Sequence, residues 1–248
     1  MIAPDADTKH RHLDALFAKS NSASEMHSVK RTPQEEIYFQ LREDICLLRS
    51  PPGTVLREGK IASDFGISRT PIREVMHRLQ FDGLVTARNG VGYIVTSVDF
   101  DYYIDAYALR IRLAETIGQL SPRAITPADV AEAEKIKEEA VLLLETFDLH
   151  RYWTLNHDLN HLIYTLIGNR ALQEVWNHIY FKVARIWYSL APYFAEEVAE
   201  YFYAEACDVV RALKGDDIEA LGYSQRNYIS RGLKRVQRFI EEQKRLEI

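Results

Sequence analysis

Between positions 68 and 78 the chain carries Ser68, Arg69, Thr70, Arg73, His77 and Arg78. A guanidinium fork matches two acceptors, the O6/N7 edge of guanine and the paired oxygens of a phosphate. Hydroxyls at the start of a helix donate to phosphate oxygens, and the helix dipole favours an anion there. His157 and His161 form a second chemical spacing. Four residues apart, they share one helix face and could offer two ligands to zinc, nickel or manganese, or simply cover surface. Nucleophile elbows, phosphate-binding glycine loops and HExxH are absent from the sequence, so it offers no reading as an enzyme beyond that ambiguous histidine pair.

Chemistry at 68–78 requires a scaffold that presents it. Pro33–Arg49 has apolar residues at helical spacing, Ile37, Leu41, Ile45 and Leu48, and then meets the Ser50-Pro51-Pro52-Gly53 turn. Glu58–Phe65 reads as a short helix, broken at Gly66, where a positive φ is expected. Ser68 or Thr70 can cap the next helix, with Pro71 in its first turn and Ile72, Val75, Met76 and Leu79 on one face. Ala62 is small where the two helices approach, and Ile67, Ile72 and Val75 can pack them together. Two β-rich runs, Leu84–Ala87 and Tyr93–Thr96, flank the Arg88-Asn89-Gly90 turn as a small hairpin. The expectation is a winged helix-turn-helix over residues 31–97. Gly90 and Gly92 would let the wing backbone approach DNA.

Residues 1–30 read as a polar tail, and residues 98–248 as an all-helical, antiparallel bundle. Its helices are expected at 101–120, 127–147, 148–167, 170–192, 195–214 and 216–244. The fold class is therefore mainly α. The net charge of −5 is unevenly spread. Ten Lys and Arg face eight Asp and Glu from Lys30 to Val98, against 18 and 24 from Asp99 onward. A mildly basic head on an acidic body suits a nucleic-acid partner for the head alone. The two cysteines, Cys46 and Cys207, lie far apart, and no apolar run approaches the roughly 18 residues of a membrane span. The first residues lack the order of a secretory signal. A cytoplasmic protein with no membrane partner is expected.

The run GISRTPIREVMHRLQFDGLV, a glycine-containing hairpin and an all-helical remainder together resemble the GntR superfamily of bacterial regulators, best its FadR-type branch with a helical effector domain. The resemblance covers about Gln34–Thr96 in the head; beyond that it rests on helix order. It implies that Arg69 and Arg73 contact operator DNA, with Ser68 and Thr70 nearby, Arg78 near the backbone, and the wing tip at Asn89-Gly90 in the minor groove. Members usually carry a basic residue ten positions before the arginine of SRT. Gly59 stands there, and its neighbours Arg57 and Lys60 are the candidates to replace it.

For the helical domain the resemblance implies an internal cavity, often holding a divalent metal between an Asp or Asn, a His one turn later, and two further histidines. Aligned on Gly168-Asn169 and on the run ending at Asp216, those positions hold Asn156, Asn160, Glu205 and Asn227. Three amides and one carboxylate bind a transition metal poorly but suit a polar organic effector. A shifted register would substitute His157 and His161, completed by Glu205, as a metal half-site. Arg110, in the family-like YALRIRL opening, could hold an effector carboxylate bidentately or make a salt bridge to a neighbouring helix. Arg185 and Tyr188 are weaker pocket candidates. Trp153, Trp176, Trp187 and the tyrosines of 193–203 suit a core or dimer surface.

The reading is a regulator, with a repressor expected, that binds operator DNA as a homodimer, because one recognition helix reads only a half-site. A small carboxylate-containing effector, without an obligatory cofactor, would modulate it. A helical enzyme with a basic head and a structural nucleoid-type binder are the competing readings. Turnover would favour the former, and absence of operator specificity and ligand release the latter.

Overall fold

In the computed structural model, residues 32–97 and 99–246 are described; the tail read at 1–30 lies outside them. Helix α1 (Pro33–Cys46) begins at a capping box. The Thr32 hydroxyl accepts from the Glu35 amide, and the Glu35 carboxylate accepts from the Thr32 amide at 2.9 Å. It ends three residues before the expected Arg49, since Leu48 at φ +60° and Pro51 cannot continue a helix. Strand β1 (Val55–Leu56) follows, then α2 (Glu58–Asp64) and α3 (Arg69–Phe81). Gly66 joins α2 to α3 at φ +65°, the conformation its position demanded. Ile72, Val75, Met76 and Leu79 bury one face of α3. Its opposite face is left for solvent or a partner.

The wing is β2 (Val85–Arg88) and β3 (Gly92–Val95), antiparallel with Arg88 opposite Gly92. Strand β1 adds to the far edge of β3, giving the order β1-β3-β2. Two residues are too short for any periodic signal, so this third strand is invisible in the sequence. It also gives Gly92 a structural role: at φ +123°, a Cβ there would lie 2.7 Å from the Leu56 carbonyl oxygen, so glycine lets the sheet close. Gly92→Ala is expected to cost about 1–3 kcal/mol, checked by urea unfolding, from strain and contact together.

The helical part comprises α4 (Phe100–Glu115), α5 (Pro127–Glu145), α6 (Leu149–Leu166), α7 (Arg170–Leu190), a 3-10 turn (Ala191–Phe194), α8 (Ala195–Lys214) and α9 (Ile218–Leu246). The boundaries fall where the chain is punctuated. Thr126 and Pro127 open α5 with a second capping box, Asn169 caps α7, and Gly215 ends α8. Helix α5 packs on α6 and α8, and α9 packs on α4 and α8. Trp176, Tyr103 and Tyr188 are the largest fully buried side chains. Among the described residues no helix is long and apolar enough to cross a membrane.

Candidate nucleic-acid interface and buried cavity

The exposed face of the head gathers most of the expected DNA-contacting residues. Ser68 stands at the N-cap of α3, but its hydroxyl makes no capping bond. Arg69, Thr70 and Arg73 lie exposed on the first turns, and Arg57, Lys60, Asn89 and Gly90 are exposed around them. Gly90 adopts φ +75° at the third position of the wing turn, where Val91 donates to the Arg88 carbonyl at 3.0 Å. Arg73 is tethered loosely by Glu58, both contacts being 3.4 Å.

The departure at Gly59 has a local counterpart. A Cβ at Gly59 would meet the Arg69 guanidinium at 3.1 Å, so Arg69 lies across the space a side chain there would occupy. Arg78 faces α1 instead, stacking 3.7 Å over the Tyr38 ring, while the Tyr38 hydroxyl donates to Asp82 at 2.6 Å.

Inside the helical part, a cavity of about 90 Å³ opens between α4, α6, α7, α8 and α9. Arg110, Asn156, Asn160 and Glu205 all line it. Asn227 does not. It is exposed on α9, where its Oδ1 accepts from Arg226 at 3.1 Å. The inward face of α9 instead carries Gln225, Tyr228, Gly232 and Arg235. A two-residue offset turns a side chain about 200° around the axis, so the family register put Asn227 on the wrong side. The recurrence at 225, 228, 232 and 235 is the helical-spacing signal that could have found this face.

The amides already serve the protein. Asn160 Oδ1 accepts from Trp176 Nε1 at 3.1 Å, and Asn156 Nδ2 donates to the hydroxyls of Tyr180 and Tyr188. Tyr188 lines the cavity as expected; Trp187, read as core or dimer surface, lines it too, its Nε1 donating to the Tyr152 hydroxyl. Trp176 is core, and Trp153 packs edge-on to Tyr188 at 4.4 Å. Arg185 was misplaced as a pocket residue. It turns to the interdomain linker, donating to the carbonyls of Thr96 at 2.6 Å and Ser97 at 2.9 Å.

The histidine pair does not converge on the cavity. Arg42 of α1 donates from Nη2 to His157 Nε2 at 2.8 Å, and arginine can only donate, so this nitrogen accepts. His157 also stacks on Trp153, while His161 lies exposed beside Tyr164. The donors at the metal-binding positions are amides engaged with aromatic side chains plus one carboxylate, a set that does not fit zinc or nickel. Among the described residues no three His, Cys, Asp or Glu side chains gather into a metal site.

Arg110 is 7% exposed, and its Nε makes no hydrogen bond. Its guanidinium lies 5.0 Å from the Trp176 ring and 5.2 Å from that of Tyr180, and among the described residues no carboxylate comes within ion-pair distance. The salt bridge weighed for Arg110 is therefore not made. Arg235, by contrast, is satisfied by Glu197 at 2.9 Å.

Burial of the Glu205 carboxyl raises its pKa from 4.5 to about 7, with Gln225 and Arg110 opposing the rise. Folding thus favours the protonated acid. Its contribution is full below the ordinary carboxyl range and is lost as pH rises from about 4.5 through about 7. Relative to Glu205→Gln, the ligand-free wild type should lose on the order of 2 kcal/mol between pH 4.5 and pH 8, discounted for the residue's surface toward the cavity. Urea unfolding of both proteins at the two pH values checks this, and parallel curves would refute it.

Residues 33–95 match the family described as "Bacterial regulatory proteins, gntR family", and residues 105–231 match the FCD domain. A Streptomyces ambofaciens protein described as an uncharacterized HTH-type transcriptional regulator in an unstable DNA locus is 38% identical over 41% of this chain and 43% of its own length. The Bacillus subtilis regulator YdhC is 29% identical over 58% of this chain and 65% of its own length. The chain thus spans less than two thirds of either relative. The Escherichia coli transcriptional repressor RspR is 24% identical over 52% of this chain and 57% of its own length. Among solved structures, E. coli McbR/YncC superposes with a TM-score of 0.68 at 18% identity, covering 85% of this chain and 99% of that one, which shows a shared fold. With an exposed recognition helix and wing joined to a helical body around a polar cavity, and with matches across both parts, the chain belongs to the gntR family of bacterial regulatory proteins, in the form that carries an FCD domain.

Proposed function

We propose that the protein is a sequence-specific DNA-binding transcriptional repressor, acting as a homodimer, whose operator affinity responds to a small carboxylate-containing effector in the cavity. The observation that carries the effector is Arg110, a buried cation on the cavity wall with no carboxylate within ion-pair distance among the described residues. Leaving such a charge buried and unpaired is costly, and a bidentate carboxylate would offset the cost. Repression is supported by RspR, which is named a repressor. Dimerisation follows from the half-site that one recognition helix can read.

Helix α7 supplies a route from cavity to head. One of its faces lines the cavity with Tyr180, Ala184, Trp187 and Tyr188. Another holds the head. Phe181 lies 3.6 Å from the Arg42 guanidinium, and Arg185 grips the linker carbonyls. On α6, Asn156 faces the cavity while the next residue, His157, accepts from Arg42. The joint buries Arg42, with burial lowering its pKa and aromatic rings rather than a carboxylate around it. Such a joint is held weakly enough for an effector to shift. A ligand that favours one arrangement of α6 and α7 changes how the heads are presented.

The test is a thermal-shift screen of small carboxylates on the full-length protein, with native mass spectrometry and metal analysis of the same sample. The expected result is a dimer without stoichiometric metal, stabilised by at least one carboxylate, with Arg110→Met weakening binding by about 10- to 100-fold. An equivalent of zinc or nickel lost on His157→Ala would replace this reading with the metal-dependent one.

A further inference from the structure

We infer that the effector is amphoteric, an amino-acid-like molecule that gives its carboxylate to Arg110 and its ammonium to Glu205. The inference rests on the reading of the cavity as the effector site and narrows its chemistry. A guanidinium and a carboxyl group line this small space without pairing. Arg110 feels Glu205 electrostatically, yet the two make no ion pair. Glu205 likewise has no cationic partner within ion-pair distance among the described residues. Beside it, Gln225 is 4% exposed, and its Nε2 makes no well-formed hydrogen bond. The other buried arginine of the wall, Arg235, is already paired with Glu197.

Charge balance separates the candidate ligands. A plain monocarboxylate satisfies Arg110 and leaves Glu205 buried without a partner. A dicarboxylate could reach Arg231 with its second carboxylate, but it still leaves Glu205 without a cationic partner and brings a like charge near it. A neutral sugar satisfies neither charge. A molecule with one carboxylate and one ammonium satisfies both. It also returns Glu205 to the ionised form that burial opposes. The cavity of about 90 Å³ holds about three waters at their liquid volume, which limits the ligand to a small molecule.

The experiment is calorimetric titration of the full-length protein with matched sets: an amino acid, its deaminated acid and its decarboxylated amine, for α-, β- and ω-amino acids of small size. The expected result is one amino acid that binds at least about tenfold more tightly than either truncated analogue. Glu205→Gln, a near-isosteric change, should erase its advantage over the deaminated acid without weakening that acid's own binding. Arg110→Met should weaken both by about 10- to 100-fold. If the deaminated acid binds the wild type as tightly as the amino acid, or if Glu205→Gln keeps the preference, the amphoteric assignment is wrong while the carboxylate cavity stands. If no carboxylate of either kind binds, or Arg110→Met leaves the affinity unchanged, the cavity reading fails with it.

Discussion

Replacing Arg69 and Arg73 together with alanine is expected to lower operator affinity by about 100-fold or more. Each arginine lies exposed on the first turns of α3, where a recognition helix meets the groove. A bidentate contact to guanine is worth about 1–3 kcal/mol, and a pair of contacts multiplies the loss. The operator would be duplex DNA recovered by the full-length protein from a random pool, and the measurement fluorescence anisotropy across a salt series. The two single variants separate the roles. Loss of a base contact relaxes specificity at one position, whereas loss of a phosphate contact weakens all sequences and lowers the salt slope by about one. Arg73 must first leave Glu58, a loose and exposed pairing that costs little to break. Because neither arginine is buried, the double variant should keep the wild-type unfolding midpoint to within about 0.5 kcal/mol of stability. An affinity within threefold of the wild type would remove α3 as the reading helix.

Trp176→Ala is expected to cost about 3–5 kcal/mol of folding stability, the range for emptying a fully buried indole site. The side chain has 0% exposure and donates to Asn160, so its removal leaves both a cavity and an unsatisfied amide oxygen. Arg110 also loses the ring beneath it, at 5.0 Å. Guanidinium chloride unfolding measures the loss. Trp176→Phe separates the parts, keeping most of the packing while deleting the donor. A Trp176→Ala cost below about 1 kcal/mol would mean the indole is not the packing centre between α6 and α7. Stability at ordinary levels leaves little margin for a loss of the expected size, so the variant should also be poorly folded at 37 °C.

Much of the fold was readable because punctuation and periodicity are local. Pro127, Gly168-Asn169 and Gly215 stop or start helices through their own backbone chemistry, and the observed boundaries fall within three residues of those expected, except that α4 ends at Glu115, five residues before the expected Leu120. The head was legible for the same reason, since the turn at Gly66 and the apolar face of α3 lie within one short stretch. Strand β1 was not, because a two-residue strand exists only by pairing with β3, some forty residues later.

The sequence by itself determined the mainly α architecture, the exposed arginines of α3 and the presence of Arg110, Asn156, Asn160 and Glu205 on helices that could meet. Only tertiary structure decided which of them do. Asn227 fell outside because its place on α9 depends on how that helix is rotated against α4 and α8, and a shift of two residues reverses the face. Gln225 entered in its place. His157 went to Arg42, a partner 115 residues away. Arg110 and Glu205 came to line one cavity because separate helices close on it. Residue type and local spacing act over one helix turn, whereas burial, and with it the charge left unpaired on Arg110 and the raised acid of Glu205, arises only when distant helices exclude water together.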